Sequence, residues 1–316
     1  MPASARRLAL VLALTLGHAP LLAGCNLTRV ATSTIETQAR HDGLTEHRVA
    51  LGGRQVRYWM GGQGPPLLLL HGFGGDGLLT WSRQVDDLSR SHTLIIPDLL
   101  WFGQSFALGV EPTLHSQVRT VVDLLDHLGL ERVDVAGISY GGFVTMLLHQ
   151  EHPGRTDRVV IVDSPGPVFD AADQQAMLDR LGVASPEEMF VPEAPQDVAR
   201  LIAIVRPGGP AIPPFLLRDI HRAHFSRNHV EHRALLADLV SLDAAFPPGS
   251  WTVPERALVI WGSEDKVFPV KEGEQLAAAL GAEFLVIEGA AHGPNFQEPR
   301  AFNEALLAFL AQPTDE

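Results

Sequence analysis

The sequence predicts an α/β architecture: a mostly parallel eight-stranded sheet, helices on both faces, and a helical cap inserted between two strands. Three observations predict it. Short, near-continuous apolar runs alternate with helical patterns, as strands buried on both faces do. Each run ends in a polar or glycine-rich cluster, and sites in such sheets lie at the carboxyl ends of the strands. The alternation also stops after Asp163 and resumes near Ala257, which leaves room for a cap over those strand ends.

The first residues read as an address rather than as fold. Arg6 and Arg7 precede the apolar Leu8–Leu16, Gly17-His18-Ala19-Pro20 interrupts the run, and Leu21-Leu22-Ala23-Gly24-Cys25 follows. This is the pattern of an export signal, residues 1–24, and is too broken for a spanning helix. Leu22-Ala23-Gly24-Cys25 resembles the bacterial lipobox, which implies cleavage before Cys25 and lipidation of its thiol. Cys25 is the only cysteine of 316 residues, so no internal disulfide is available to it. Diacylation plus a further acyl chain holds a protein durably where a single chain does not. Residues 25–44 are polar and Ser/Thr-rich, without periodicity, and are expected to form a lipidated tether.

The core is expected over 45–164 and 251–316. Glu46–Leu51 and Arg54–Met60, joined by Gly52-Gly53, form a hairpin. The parallel strands follow: Leu67–Leu70 into His71-Gly72, Thr93–Ile96 into Pro97-Asp98, Val133–Ala136 into Gly137, and Val159–Val162 into Asp163. Ala257–Trp261 runs into Gly262-Ser263-Glu264-Asp265, and Phe284–Ile287 into Glu288 and on to His292. The segment 165–250 is proline-rich and mainly helical, and forms the cap. A net charge of −13 with 46% hydrophobic residues fits a large core and argues against a nucleic-acid partner, which needs a basic face.

Gly137-Ile138-Ser139-Tyr140-Gly141 joins a strand to a helix, and places a serine on a turn so sharp that side chains at either glycine would clash. A serine hydroxyl needs a base, and the base needs a carboxylate to fix its tautomer. His292, in the small-residue stretch Gly289–Pro294, is the expected base and Asp265 the expected acid. Glu264 and Asp163 are the rivals for the acid. A tetrahedral oxyanion would be held by the backbone N–H of Tyr140 and by that of Phe73 in His71-Gly72-Phe73-Gly74-Gly75. His71 and Asp98 read as braces of their loops, and Trp101 and Phe102 as apolar packing or, in the alternative, as lining of the pocket mouth. His221, His224, His229 and His232 sit among arginines with no cysteine or dense carboxylate set nearby, and read as a solvated or substrate-facing helix rather than a metal site. Arg218, Arg222 and Arg227 are candidates to meet an anionic substrate group.

Together, the His71–Gly75 loop, Asp98–Ser105, Gly137–Gly142, Trp261–Asp265 and Ala291-His292 resemble the capped α/β-hydrolase superfamily over roughly residues 45–312. Within it the chain is most similar to the monoacylglycerol-lipase-like and esterase branch. That resemblance implies a serine hydrolase acting on lipophilic carboxylic esters, with neither cofactor nor metal, and the lipobox-like segment adds export and membrane anchoring in the cell envelope. The alternatives are hydrolysis of a carbon–carbon bond in a vinylogous diketone by the same triad, and a binding or receptor protein on a hydrolase scaffold.

Overall fold

A computed structural model describes residues 27–245, 251–254 and 256–312. The expected signal segment, with Cys25, lies outside them. The strands are β1 (Leu44–Leu51), β2 (Arg54–Gly62), β3 (Pro66–Leu70), β4 (Thr93–Pro97), β5 (Phe106–Ala107), β6 (Val133–Ile138), β7 (Thr156–Val162), β8 (Ala257–Gly262) and β9 (Glu283–Ile287). They form one sheet in the order β1-β2-β4-β3-β6-β7-β8-β9, with the two-residue β5 added against β2. The β1–β2 hairpin is antiparallel with Leu51 opposite Arg54, β2 pairs antiparallel with β4, and every pairing from β4 through β9 is parallel. The eight strands read from the sequence are all present, and only the short β5 is additional.

The apolar strands are continuous because alternate residues feed two cores. Leu68 and Leu70 of β3, Val133 and Val135 of β6, Val159 and Ile161 of β7 and Val259 of β8 point into one core, which also takes Val144, Leu147 and Leu148 of the helix Tyr140–Glu151. Leu67 and Leu69, Ala136, Val160 and Val162, and Leu258 and Ile260 point into the other, with Trp59, Trp81 and Phe302. Truncating one of these fully buried leucines to alanine costs about 2–5 kcal/mol.

The expectation of an irregular tether up to residue 44 is corrected. Leu27–His41 is a fifteen-residue helix. Its Ser/Thr-rich polarity hides the reason, which is tertiary. Glu36 pairs with Arg57 of β2 at 2.7 Å, Arg40 pairs with Glu46 of β1 at 3.3 Å, and the Arg40 guanidinium lies 4.6 Å over the Trp59 ring.

Between β7 and β8 the chain leaves the sheet through the helices Ala171–Leu181, Pro186–Phe190, Pro195–Val205, Pro214–Ile220 and His229–Ala245, with a π-helical turn at His221–Phe225. This helical stretch lies over the carboxyl ends of the parallel strands. It is pinned there by Arg180, which donates to the carbonyls of Lys266 and Val267, and by Asp238, which accepts the N–H of Leu114.

Candidate active site

β6 delivers the chain into Ser139 with φ 53° and ψ −119°, a conformation that side chains other than glycine adopt only at about 1–3 kcal/mol. The turn is this tight because Gly137 and Gly141 meet. A Cβ on Gly137 would lie 2.2 Å from the Gly141 carbonyl oxygen, and one on Gly141 would lie 2.5 Å from that of Leu70. The Ser139 N–H donates to the Val162 carbonyl at 2.8 Å and ties the elbow to β7.

Three strand ends converge on this serine. The His292 Nε2 lies 3.1 Å from Ser139 Oγ, and its Nδ1 lies 2.8 Å from Asp265 Oδ2. A carboxylate only accepts, so Nδ1 carries the hydrogen and Nε2 of the neutral ring is left to accept the serine proton. Asp265 is itself fixed, because its Oδ1 accepts the N–H groups of Val267 and Phe268 at 2.7 and 3.1 Å. The neighbouring Glu264 is exposed and takes no part.

Burial alone would depress the His292 imidazole. The Asp265 charge, its hydrogen bond, and a smaller effect of Asp163 outweigh that and hold its pKa above 6.5. Asp163 is fully buried with φ 43°, and accepts the N–H groups of Gly262 and Gly293 at 2.9 Å each. Burial pushes its carboxyl well up, and the Asp265 charge adds to the effect. Of the two carboxyl groups, Asp265 has the larger effect on the ring. The rival acid of the sequence is therefore a strut that joins β8 to the histidine loop. Asp163, Asp265 and His292 lie close enough to ligate one metal ion. Every carboxylate oxygen of the pair already accepts an N–H, however, which suits a hydrogen-bonded relay rather than a cation.

The loop after β3 packs on the elbow. A Cβ on Gly72 would sit 3.3 Å from Ser139 Cβ. His71 braces this loop as expected: its Nδ1–H donates to the Gly72 carbonyl at 2.8 Å and its Nε2 accepts the Leu99 N–H at 2.9 Å. Burial pushes its pKa down, which keeps this tautomer neutral. The Phe73 ring stands edge-on to Tyr140 at 5.5 Å. Tyr140 opens the helix after the serine, so its N–H has no intrahelical acceptor. Asp98 also acts as a brace, accepting the N–H groups of Gly77 and Gln104 at 3.0 and 2.9 Å beside Arg57.

An apolar cavity of about 120 Å³ opens between cap and core beside this cluster, walled by Phe143, Phe169, Phe190, Leu239, Trp251 and Phe268. Phe268 links it to the histidine, edge-on to the His292 ring at 5.6 Å and to Phe169 at 5.2 Å.

The cap histidines behave differently from expectation. They do not share one solvated face. His232 is buried, stacked on Phe102 at 4.6 Å and edge-on to Phe73 at 5.4 Å, and its Nε2 lies 2.9 Å from the Trp101 carbonyl oxygen. Asn228, at φ 61°, donates to the same carbonyl at 2.7 Å, and Trp101 itself has φ 67°. His229 instead bonds the Phe225 carbonyl within the cap. The cap–core clamp on Trp101 was hidden in the sequence. Its one signal was Asn228, the kind of residue that tolerates a left-handed backbone best after glycine. Arg218, Arg222 and Arg227 are exposed and line no part of the cavity.

The sequence profile of the alpha/beta hydrolase fold family matches residues 65–185. The chain is 29% identical to a pimeloyl-[acyl-carrier protein] methyl ester esterase of Vibrio vulnificus (strain YJ016), over 79% of this chain and 96% of the relative. It is 26% identical to a 2-hydroxy-6-oxo-6-phenylhexa-2,4-dienoate hydrolase of Burkholderia cepacia, over 79% and 89%. The crystal structure of a membrane phospholipase A superposes with a TM-score of 0.76 at 26% identity, covering 97% of this chain and 98% of that one. Sheet order, elbow and these likenesses agree: the chain has the α/β-hydrolase fold.

Proposed function

We propose that the protein is a serine hydrolase that cleaves carboxylic esters with a lipophilic acyl group. The observation that carries this reading is the unbroken relay from Asp265 through His292 to Ser139, at 2.8 and 3.1 Å, on a strained elbow. Ser139 Oγ attacks the ester carbonyl as its proton passes to His292 Nε2. Asp265 stabilises the imidazolium, and the N–H groups of Tyr140 and Phe73 receive the oxyanion, each worth roughly 2.7–4 kcal/mol. His292 then returns the proton to the departing alcohol, and water, activated in the same way, releases the acid. The aromatic cavity takes the acyl chain. The pimeloyl ester esterase and the membrane phospholipase A are ester hydrolases by name, which favours the same bond here. Membrane attachment through lipidated Cys25 in the cell envelope completes the proposal, and rests on the sequence alone.

The dienoate hydrolase is the relative that favours the carbon–carbon alternative. Its anionic substrate calls for a cation, and the described walls of the cavity hold none. A panel of short and long p-nitrophenyl esters, monoacylglycerols and a diketo acid tests both readings. Ester turnover and fluorophosphonate labelling are expected in the native protein and lost by roughly 10⁴-fold or more in Ser139→Ala. Equal labelling of both proteins would refute the assignment, and a native protein that folds yet never labels would favour a binding role.

A further inference from the structure

The described chain begins at the helix Leu27–His41, which packs against the cap helix Pro214–Ile220 and against the helix Gly77–Trp81. The short helix Pro294–Gln297 also packs on Gly77–Trp81, and Gln297 bonds the carbonyl of Val205 at the end of another cap helix. These elements form one continuous face. We propose that this face docks on a lipid surface, where the headgroups of anionic phospholipids meet its arginines and the acyl boundary receives its exposed apolar side chains.

Three observations support this. The first is the apolar content of the face: Val30 is 52% exposed, Phe215 48% and Phe296 37%. Large side chains of this kind gain by entering the headgroup–acyl boundary. The second is charge. The chain carries −13, which an anionic membrane repels unless cations are gathered on the facing side. Residues 205–230 hold Arg206, Arg218, Arg222 and Arg227 against the single acid Asp219, and Arg29 is the one charged residue in 26–35. Arg83 adds a further guanidinium 4.3 Å over the Phe296 ring.

The third is chain length. The lipidated Cys25 of the proposed function stands two residues before Leu27. Two residues span at most about 7 Å. With that lipid in a bilayer, the start of the first helix is held at the surface, and the face that carries it turns toward the lipid. Phe225 of the same cap stretch lies against Gly74 in the loop beside Ser139, so the docked face continues into the cover over the candidate site.

The docking does not depend on hydrolysis, and its test can exclude it. The full chain is incorporated into vesicles of ether-linked phosphatidylcholine, with and without ether-linked phosphatidylglycerol, containing a phospholipid that bears a photoreactive diazirine in its acyl chain. Cross-linked peptides are then mapped by mass spectrometry. Adducts are expected on peptides covering Val30 and Phe215, and not on those covering Glu131 before β6, at the opposite end of the strands. Val30→Asp with Phe215→Asp should lower those adducts by about tenfold with an unchanged melting temperature, since both side chains are exposed. Arg218→Glu with Arg222→Glu should lower them only where phosphatidylglycerol is present. Adducts confined to residues 1–26, or equal at Glu131 and Phe215, would overturn the proposal. So would a lipid-free dimer that buries Phe215.

Discussion

The sheet and the cap hold their contributions to the candidate site by different physics. In the sheet, each functional group sits at a strand end whose backbone is fixed by the ladder and by packing on both faces. Ser139, Asp265 and His292 come from three strand ends and meet within 3.1 Å because β6, β7, β8 and β9 lie side by side in parallel register. The cap has no ladder. It rests on a few polar clamps, Asn228 and His232 on the Trp101 carbonyl and Arg180 on the Lys266 and Val267 carbonyls, together with the apolar cavity wall. On the proposed function, the sheet therefore sets where the bond breaks, and the cap sets what is admitted.

If that division holds, the largest effects belong to the sheet. Asp265→Asn leaves the shape of the relay but gives His292 an amide that stabilises the wrong tautomer. Turnover of a p-nitrophenyl ester should fall by about 10³–10⁴-fold with little change in melting temperature. The native pH profile sharpens the same point. Only neutral His292 is a base, and its pKa is held above 6.5, so kcat/KM should rise with pH and reach half its maximum above that value. In the variant burial acts without its opposing charge, and the residual activity should reach half-maximum at lower pH. A profile that does not move would detach Asp265 from the histidine.

A cap clamp should matter less, and in KM rather than kcat. His232→Phe keeps a ring stacked on Phe102 and loses the bond to Trp101, a contribution of about 1 kcal/mol, so a rise of roughly fivefold in KM for a long-chain ester is expected. The kcat for a short soluble ester should stay near the native value. Equal losses in both would mean that the clamp positions the Phe73 loop instead.

The smallest effect lies at the seam between the two regions. Burial pushes Glu272 up to about 8, with Asp173 of the cap adding to the shift, and one of its carboxyl oxygens is buried without a hydrogen-bond partner. Between the unfolded value of 4.5 and about 8, the folded protein keeps a proton that the unfolded chain releases. Stability should therefore fall as pH rises through that window. Glu272→Gln should flatten this part of the melting-temperature profile, and a profile identical to the native one would show that the proton is not held there.

Much of the site was legible because its determinants are local. A serine between two glycines at a strand-to-helix junction specifies its own turn, since no other residue type fits at Gly137 or Gly141. The expectations for His71 and Asp98 rested on the same ground: polar groups at strand ends must find nearby backbone partners. Asp163 was harder, because a carboxylate at a strand end reads alike whether it faces a histidine or two glycine amides. The helix Leu27–His41 was missed outright. Its polar sequence has little reason to fold alone, and its order comes from Arg57, Glu46 and Trp59, distant in the chain.

By itself, the sequence determined the strands, their two-faced burial, the elbow and the chain order of serine, acid and histidine, because each follows from residue type and spacing over a few positions. Only the tertiary structure decided which carboxylate faces His292, that His232 and Asn228 grip one carbonyl, and that the first helix packs against the cap. Those outcomes depend on which distant segments the packed sheet brings into contact, and short-range pattern carries no record of that.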